Sequence, residues 1–260
     1  MYRTMSSESA RRATSNVRSV SADRALTWLG AGWHLLRATP GPSLFHGSLI
    51  VATGWLLLLV LGTHIAIVAA LLSGFLLVGP VLAAAVYALS RSVEEGREGT
   101  VDASLREASA RSRSLAGLGA LLAVLTILWA FTSAELFRAA FGTALPGLGD
   151  DAWRSFMEWT YPGFFLTYVA VGAVLAAVTF ILTSVAAPLL FDRDAGTSAA
   201  VRSSVRAVVQ NPGAMMLWAA CIATLGGVGL ATGLLGFVII FPWLGHTAWA
   251  AYRDLYIDSP

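Results

Sequence analysis

Six runs of about 18 or more apolar residues recur along this chain, near Leu44–Leu61, Ile65–Leu89, Leu115–Ser133, Phe164–Leu190, Ala214–Ala231 and Leu234–Ala251. Each is long enough, as a helix, to cross a hydrocarbon core of about 30 Å. A soluble core of 260 residues could not hide that much apolar surface, since 57% of the chain is hydrophobic and only 12% is charged. The fourth run is long enough to tilt or to run past the membrane surface, and Pro188 is expected to kink it.

Charge then orients the chain. All 17 basic residues are Arg, and 15 of them fall on one side of the six runs. The N-terminal segment carries Arg3, Arg11, Arg12, Arg18, Arg24 and Arg37. The second–third connection carries Arg91, Arg97, Arg106, Arg111 and Arg113, the fourth–fifth Arg193, Arg202 and Arg206, and the tail Arg253. Only Arg138 and Arg154 lie opposite, beside Glu135, Asp150, Asp151 and Glu158. By the positive-inside rule both termini are cytoplasmic. The expected fold class is therefore all-α, a polytopic membrane protein of six transmembrane helices arranged as three hairpins, joined by cytosolic interfacial amphipathic helices. A net charge of +2 gives no case for nucleic acid, whereas the basic inner rim favours anionic lipid.

Residues 1–22 are rich in Ser and Arg, hold one acid, Glu8, and lack the apolar core of a secretory signal. They are read as a disordered cytosolic tail, with a mitochondrial transit peptide as the alternative, and 257–260 as a short second tail. Residues 23–256 form the single membrane domain. Arg-only, Ala- and Gly-heavy usage suggests a high-GC bacterium, hence the bacterial inner membrane. The lone Cys221 excludes disulfides within the chain, thiolate clusters and c-type haem attachment.

The chain also repeats itself. Before Pro40-Gly41 apolar residues stand at Leu29, Trp33 and Leu36; before Pro212-Gly213 the same offsets hold Val201, Val205 and Val208. Each set is a helical stripe, expected to face acyl chains at the interface. Each Pro-Gly should turn the chain into the membrane. Each second span then carries Gly-Phe, Pro, an aromatic and Arg at matching spacing: Gly74, Phe75, Pro80, Tyr87 and Arg91, then Gly236, Phe237, Pro242, Trp249 and Arg253. The aromatic and the Arg are expected at headgroup level, and the two prolines near mid-membrane. The middle hairpin keeps the plan but places Phe180 and Pro188 at another spacing, giving units of about 24–91, 92–194 and 195–256. Both copies enter from one side, so any symmetry axis runs along the membrane normal.

Ionisable groups at membrane depth are the places to look for chemistry. His46 and His246 fall at similar depth on the cytosolic half, and if the first and sixth spans pack together they could ligate a b-type haem or a metal. The competing reading is a structural hydrogen bond to a backbone carbonyl or headgroup, with no cofactor. His34 and His64 read as solvated. Glu135 and Arg138 read as an interfacial pair, and Asp192-Arg193-Asp194 as a helix-ending turn. Gly172 and Ala176 offer close helix contact, Gly229 and Gly233 bracket the last outer turn, and Trp129, Trp159, Tyr161, Trp249 and Tyr252 read as interfacial belts.

The stretches Gly32-Trp33 through Pro40-Gly41-Pro42, Gly74 through Pro80, Phe191-Asp192-Arg193-Asp194, Asn211-Pro212-Gly213 and Leu244-Gly245-His246 through Asp254 resemble a family of predicted bacterial integral membrane proteins of unknown function. The resemblance covers about residues 25–256. Some members of that family carry the label of cytochrome c oxidase subunit. A haem–copper catalytic subunit needs at least six histidines, and this chain has four. The resemblance therefore leaves two alternatives, an accessory or assembly partner of an oxidase or a label that does not apply. No phosphate loop, zinc-protease motif or nucleophile elbow occurs, so the chain is not expected to be an enzyme. Two functions are expected: an accessory, scaffold or assembly component of a larger membrane complex or homo-oligomer, or a small-solute transporter or channel with a polar cavity near Pro80 and Pro242.

Overall fold

The computed structural model describes residues 17–61, 65–142, 162–193 and 195–256. Helix is the only regular structure among them: α1 (Arg24–Ala38), α2 (Pro40–Leu61), α3 (Ile65–Leu82), α4 (Ala84–Glu94), α5 (Val101–Ala110), α6 (Ser112–Phe141), α7 (Pro162–Thr183), α8 (Ala186–Asp192), α9 (Thr197–Gln210), α10 (Pro212–Ala231) and α11 (Phe237–Leu255). The tail up to residue 16, His64, the outer residues Asp150, Asp151, Arg154, Glu158, Trp159 and Tyr161, Asp194, and the tail 257–260 lie outside the described residues.

Among the described residues five stretches are long and apolar enough to cross a membrane: Pro40–Leu61, Ile67–Glu94, Ser112–Phe141, Pro162–Asp192 and Pro212–Ala231. The sixth expected span coincides with α11, which has 19 residues but is more polar. His246, Thr247, Arg253 and Asp254 dilute its hydropathy, and the helix can carry them because it is wrapped in protein: Ile240, Pro242, His246, Thr247, Trp249, Tyr252 and Asp254 are all buried.

Proline sets where helices start and break. Pro40 and Pro212 open α2 and α10, where a missing N–H costs nothing. The residues before them, Thr39 (φ −131°, ψ 55°) and Asn211 (φ −127°, ψ 54°), make nearly the same one-residue link. Pro188 cannot bond the Ser184 carbonyl and its ring crowds it, so the fourth span breaks at Ser184-Val185. Ser204 then receives the loose ends, with its Oγ 3.0 Å from Ser184 Oγ and accepting from Val185 N–H at 3.3 Å. The second span breaks at Ala83, three residues past Pro80, and the Tyr87 hydroxyl donates to the Pro80 carbonyl at 3.0 Å. Pro242, by contrast, lies inside an unbroken α11, and Gly236-Phe237 begins that helix whereas Gly74-Phe75 lies within α3.

The described helices divide into two compact units. The first comprises 1–51, 80–119 and 180–260, and α11 is its axis. Glycines let neighbours reach it. A Cβ on Gly32 of α1 would lie 2.7 Å from Thr247 N, one on Gly47 of α2 would lie 2.9 Å from Val238 Cα, and one on Gly245 would lie 2.9 Å from Val86 Cγ1 of α4. The face of α1 that packs inward is Ala25, Trp28, Gly32 and Leu36. Of the expected stripe, Leu36 is therefore buried against protein, while Trp33 stays exposed and meets Trp243 edge-on at 5.2 Å. In α9 the buried face is likewise the small one, Ala200, Ser203, Ser204 and Ala207, with Val201, Val205 and Val208 half-buried beside it. Close helix packing selects small residues, so the larger apolar ones fall to the flank.

The second unit comprises 52–79 and 120–179. Trp129, expected in an interfacial belt, is buried there: its indole N–H donates to Ser73 Oγ at 2.7 Å and its ring meets Tyr168 at 5.1 Å. Gly172 lies beneath it, where a Cβ would stand 3.2 Å from the indole. Glu135 and Arg138 pair on one exposed face of α6.

In the first unit's last outer turn Gly233 takes φ +62°. The next residue, Leu234, also takes a positive φ, +71°, a strained backbone for a bulky side chain that is here buried to 3% exposure.

Gly47→Ala should destabilise the protein by about 1–3 kcal/mol, because the added carbon meets the Val238 backbone and the helices must separate. Gly41→Ala, with nothing within 4 Å, should be neutral or stabilising by up to about 1 kcal/mol. Thermal unfolding of the two variants in detergent separates close approach from helix propensity.

Candidate functional site

The polar groups of the first unit gather around α11 in three layers. The deepest is centred on His246, which is fully buried. Its Nδ1 lies 2.7 Å from Ser90 Oγ of α4 and its Nε2 2.9 Å from Ser43 Oγ of α2. Ser90 also donates to the Val86 carbonyl at 3.1 Å, so it accepts from Nδ1–H, and Ser43 donates to Nε2. Thr39 Oγ1 lies 3.0 Å from Ser43 Oγ and 3.2 Å from the Leu35 carbonyl, and its one proton is shared between these two acceptors. One imidazole thus ties three helices.

The first and last spans do touch, through Ser43–His246 and Gly47–Val238, but the two histidines serve different partners. His46 places Nε2 2.8 Å from Ser104 Oγ of α5, whose own proton goes to the Val101 carbonyl at 2.8 Å. A b-type haem shared by His46 and His246 does not fit these residues. Both nitrogens of His246 are occupied by hydroxyls, and α2 and α11 are in direct contact where a porphyrin would need to part them. No three His, Cys, Asp or Glu converge as a metal site among the described residues. Ser43 and His246 have the spacing of a nucleophile–base pair, yet both are buried and the second nitrogen meets a serine instead of an orienting carboxylate.

The middle layer is a triangle of rings, one each from α4, α8 and α11. Tyr87 of α4, Phe191 of α8 and Trp249 of α11 lie with centroids 6.0, 6.1 and 6.3 Å apart, each at most 1% exposed. Four residues before each ring stands a small residue, Ala83, Ala187 or Gly245, which lets the three helices converge. Tyr87, Trp249 and Tyr252, expected at headgroup level or in interfacial belts, are therefore core residues.

The outer layer is ionic. Asp192 accepts from the Tyr252 hydroxyl at 2.6 Å, and Arg193, Arg91 and Arg253 approach it at 3.7, 3.9 and 3.9 Å. Glu94 accepts from Trp249 Nε1 at 2.9 Å and pairs with Arg253 at 3.3 Å, while Arg91 also meets Glu95 and Glu107. Arg91 and Arg253, expected to face headgroups, instead converge on one carboxylate. The two arginines eleven residues after Pro80 and Pro242 were the sequence signal for such an acid. The serines and the ring triangle left no comparable signal, because Phe191 does not share the proline spacing of the other two rings.

Beside this network the N-terminal segment is fastened down. Residues 17–21, expected to belong to a disordered tail, form an extended strap: Arg18 N–H donates to the Leu255 carbonyl at 3.0 Å and Val20 N–H to Asn211 Oδ1 at 2.7 Å. Asn211 Nδ2 donates back to the Arg18 carbonyl at 3.1 Å. Asp254 collects four donors, Arg24 Nε (2.9 Å) and Nη2 (2.8 Å), Trp28 Nε1 (2.8 Å) and Arg18 Nη1 (3.2 Å). Burial by itself would raise the Asp254 pKa, but the bonds from Arg24 and Trp28 and the charges of Arg24 and Arg18 outweigh it and hold it below the usual carboxylate value. Burial pushes the Tyr256 hydroxyl, which donates to the Ser203 carbonyl at 2.8 Å, up to about 12.

Because the folded Asp254 titrates below its unfolded value, its stabilisation is complete above the unfolded pKa of about 3.9 and fades as pH falls through the lower folded value. Asp254→Asn should cost about 1.5–3 kcal/mol at neutral pH, and the gap to wild type should close only below about pH 4. Unfolding curves of both proteins from pH 7 down to pH 3 measure this.

Residues 67–192, a little under half of the chain, match the model of a family described as predicted integral membrane protein (DUF2189). The match is narrower than the expected 25–256: it contains Tyr87, Arg91, Phe191 and Asp192 but not His46 or any of α11. Comparison with curated proteins and with solved structures gives no match. The chain is an integral membrane protein, similar over its middle to a family of unknown function.

Proposed function

We propose that this integral membrane protein acts as an accessory, scaffold or assembly component of a larger membrane complex, with a respiratory complex as the case suggested by the oxidase label that some members of the resembling family carry. The observation that carries this reading is how the polar groups are used. His246, His46, Ser43, Ser90, Asp192 and Asp254 are each engaged by neighbouring helices, so they serve as fastenings. Meanwhile the spans are thinly covered by their own chain: only 6% of the Pro162–Asp192 window is buried, and Leu166, Val169 and Val174 of α7 point outward at 60, 49 and 67% exposure. Such faces suit lipid or the helices of a partner. A small-solute transporter, the alternative, calls for a polar cavity near Pro80 and Pro242, and Pro242 is itself buried among α11's packed neighbours.

The reading places the arginine-rich side in the cytoplasm of a bacterium, with both termini inside. Among the described residues Arg37, Arg111, Arg113, Arg202 and Arg206 form no ion pair, and the helices that carry Arg37, Arg202 and Arg206 expose Leu26, Trp33 and Val209 on their flanks. Free guanidinium groups beside exposed apolar side chains suit the anionic headgroup region.

Affinity purification of the full chain from native membranes in mild detergent should yield a stoichiometric assembly well above 27.4 kDa. Ala173→Trp on the outward face of α7 should disperse it without lowering thermal stability. Isolation as a lone monomer that conducts a solute in vesicles would favour the alternative.

Sidedness has its own check. Single cysteines at Gly99 and Gly196, in a Cys221→Ser background, should be shielded from an impermeant thiol reagent in intact cells, and one at Gly149 should be labelled. Labelling of Gly99 and not Gly149 would invert the topology.

A further inference from the structure

In the second unit a crevice of about 500 Å³ opens between α2, α3 and α6, walled by Leu57, Ile67, Leu71, Phe75, Val78 and Ala130 with Ala70, Gly74 and Ala134 between them. Two stripes of small residues face each other across it. Ala70 and Gly74 stand one turn apart on α3, and Thr126, Ala130 and Ala134 stand one turn apart on α6. Facing small residues ordinarily bring transmembrane helices into contact along their length. Here they come close at Gly74, where a Cβ would stand 3.0 Å from Thr126 Cγ2. Toward the other ends of the two helices the described residues leave a volume between Ile67, Ala70, Ala130 and Ala134. The crevice runs about 16 Å along α3, from Ile67 to Val78, and narrows at Gly74, where α6 comes nearest.

A crevice of that size does not stay empty, since its walls would forgo their dispersion contacts. Water is a poor filler. Among the described residues Thr126 is the one polar residue in the wall, and a stable water needs two to four polar partners. The helices that line the crevice are apolar spans, so the phase at its mouth is hydrocarbon. We propose that the crevice is a binding site for one acyl chain of a phospholipid from the leaflet opposite the arginine-rich face. A volume of about 500 Å³ suits a flexible methylene chain and is too small for a helix about 10 Å across over the same length. The wall offers no cluster of polar groups to read a headgroup or a ring carbonyl, so selectivity is for chain shape.

Native mass spectrometry of the full chain, reconstituted in phosphatidylcholine and phosphatidylglycerol and released from detergent, should show one phospholipid retained under activation that strips the rest. Ala70→Phe and Ala130→Phe fill the crevice and should each lower the retained fraction about tenfold, the equivalent of about two buried methylenes. Leu166→Phe, on the open face of α7, should leave it unchanged. A second measurement needs no variant. In vesicles doped with a phosphatidylcholine carrying a diazirine on its acyl chain, label should concentrate on residues 67–78 and 126–134 of wild type over residues 166–178. Unaltered retention in both filling variants, an even spread of label, or retention of an isoprenoid molecule in place of a phospholipid would each overturn the proposal.

Discussion

Hydrocarbon cannot hydrogen-bond, and the architecture around α11 follows from that constraint. This helix carries His246, Thr247, Arg253 and Asp254, and it meets the constraint by being surrounded. Gly32, Gly47 and its own Gly245 bring three neighbours to its backbone, and each neighbour then supplies a partner: Ser43 from α2, Ser90 from α4, Arg24 and Trp28 from α1. Close approach and polar pairing are thus one device. A Cβ at Gly47 would separate α2 from α11 and lengthen the Ser43–His246 bond together with the packing.

The three layers on α11 also solve different problems. The imidazole and its serines satisfy groups that water cannot reach, and neutral hydrogen bonds are the least costly way to do so there. The ring triangle supplies area and edge-to-face contact without polar demand. The ionic layer stands where charge is tolerated, and gathers three arginines around Asp192. Such an ordering, from neutral to charged along one helix, is what a transition from hydrocarbon to water would impose.

The second unit has a looser logic. Its polar anchor is Trp129 on Ser73, backed by Tyr168 and Ser133, and its spans leave much apolar side chain uncovered. Where lipid is the solvent, exposed Leu and Val carry no penalty, so packing there need not be dense. That freedom is why a crevice between α3 and α6 can persist.

Much of this was legible in the residues alone. Length and hydropathy determine the membrane class and mark six apolar runs, five of which are apolar enough to span, and Pro40, Pro188 and Pro212 mark a helix start, a break and another start, because ring closure and a missing N–H act on the local backbone whatever surrounds it. The meeting of the first and last spans was only a condition on which the pairing of His46 with His246 rested, and no residue pattern decided it. What only the tertiary structure decided is which side chains meet. Ser43 and Ser90 lie 203 and 156 residues from His246, and Phe191 completes a triangle with Tyr87 and Trp249 although it shares neither their proline spacing nor their arginine. Tyr87, Trp129 and Trp249 have the composition of an interfacial belt and the burial of a core. Hydropathy and periodicity report the environment of one helix averaged around its axis, whereas contact depends on the crossing geometry of several, and that is set by where glycines and alanines let backbones approach.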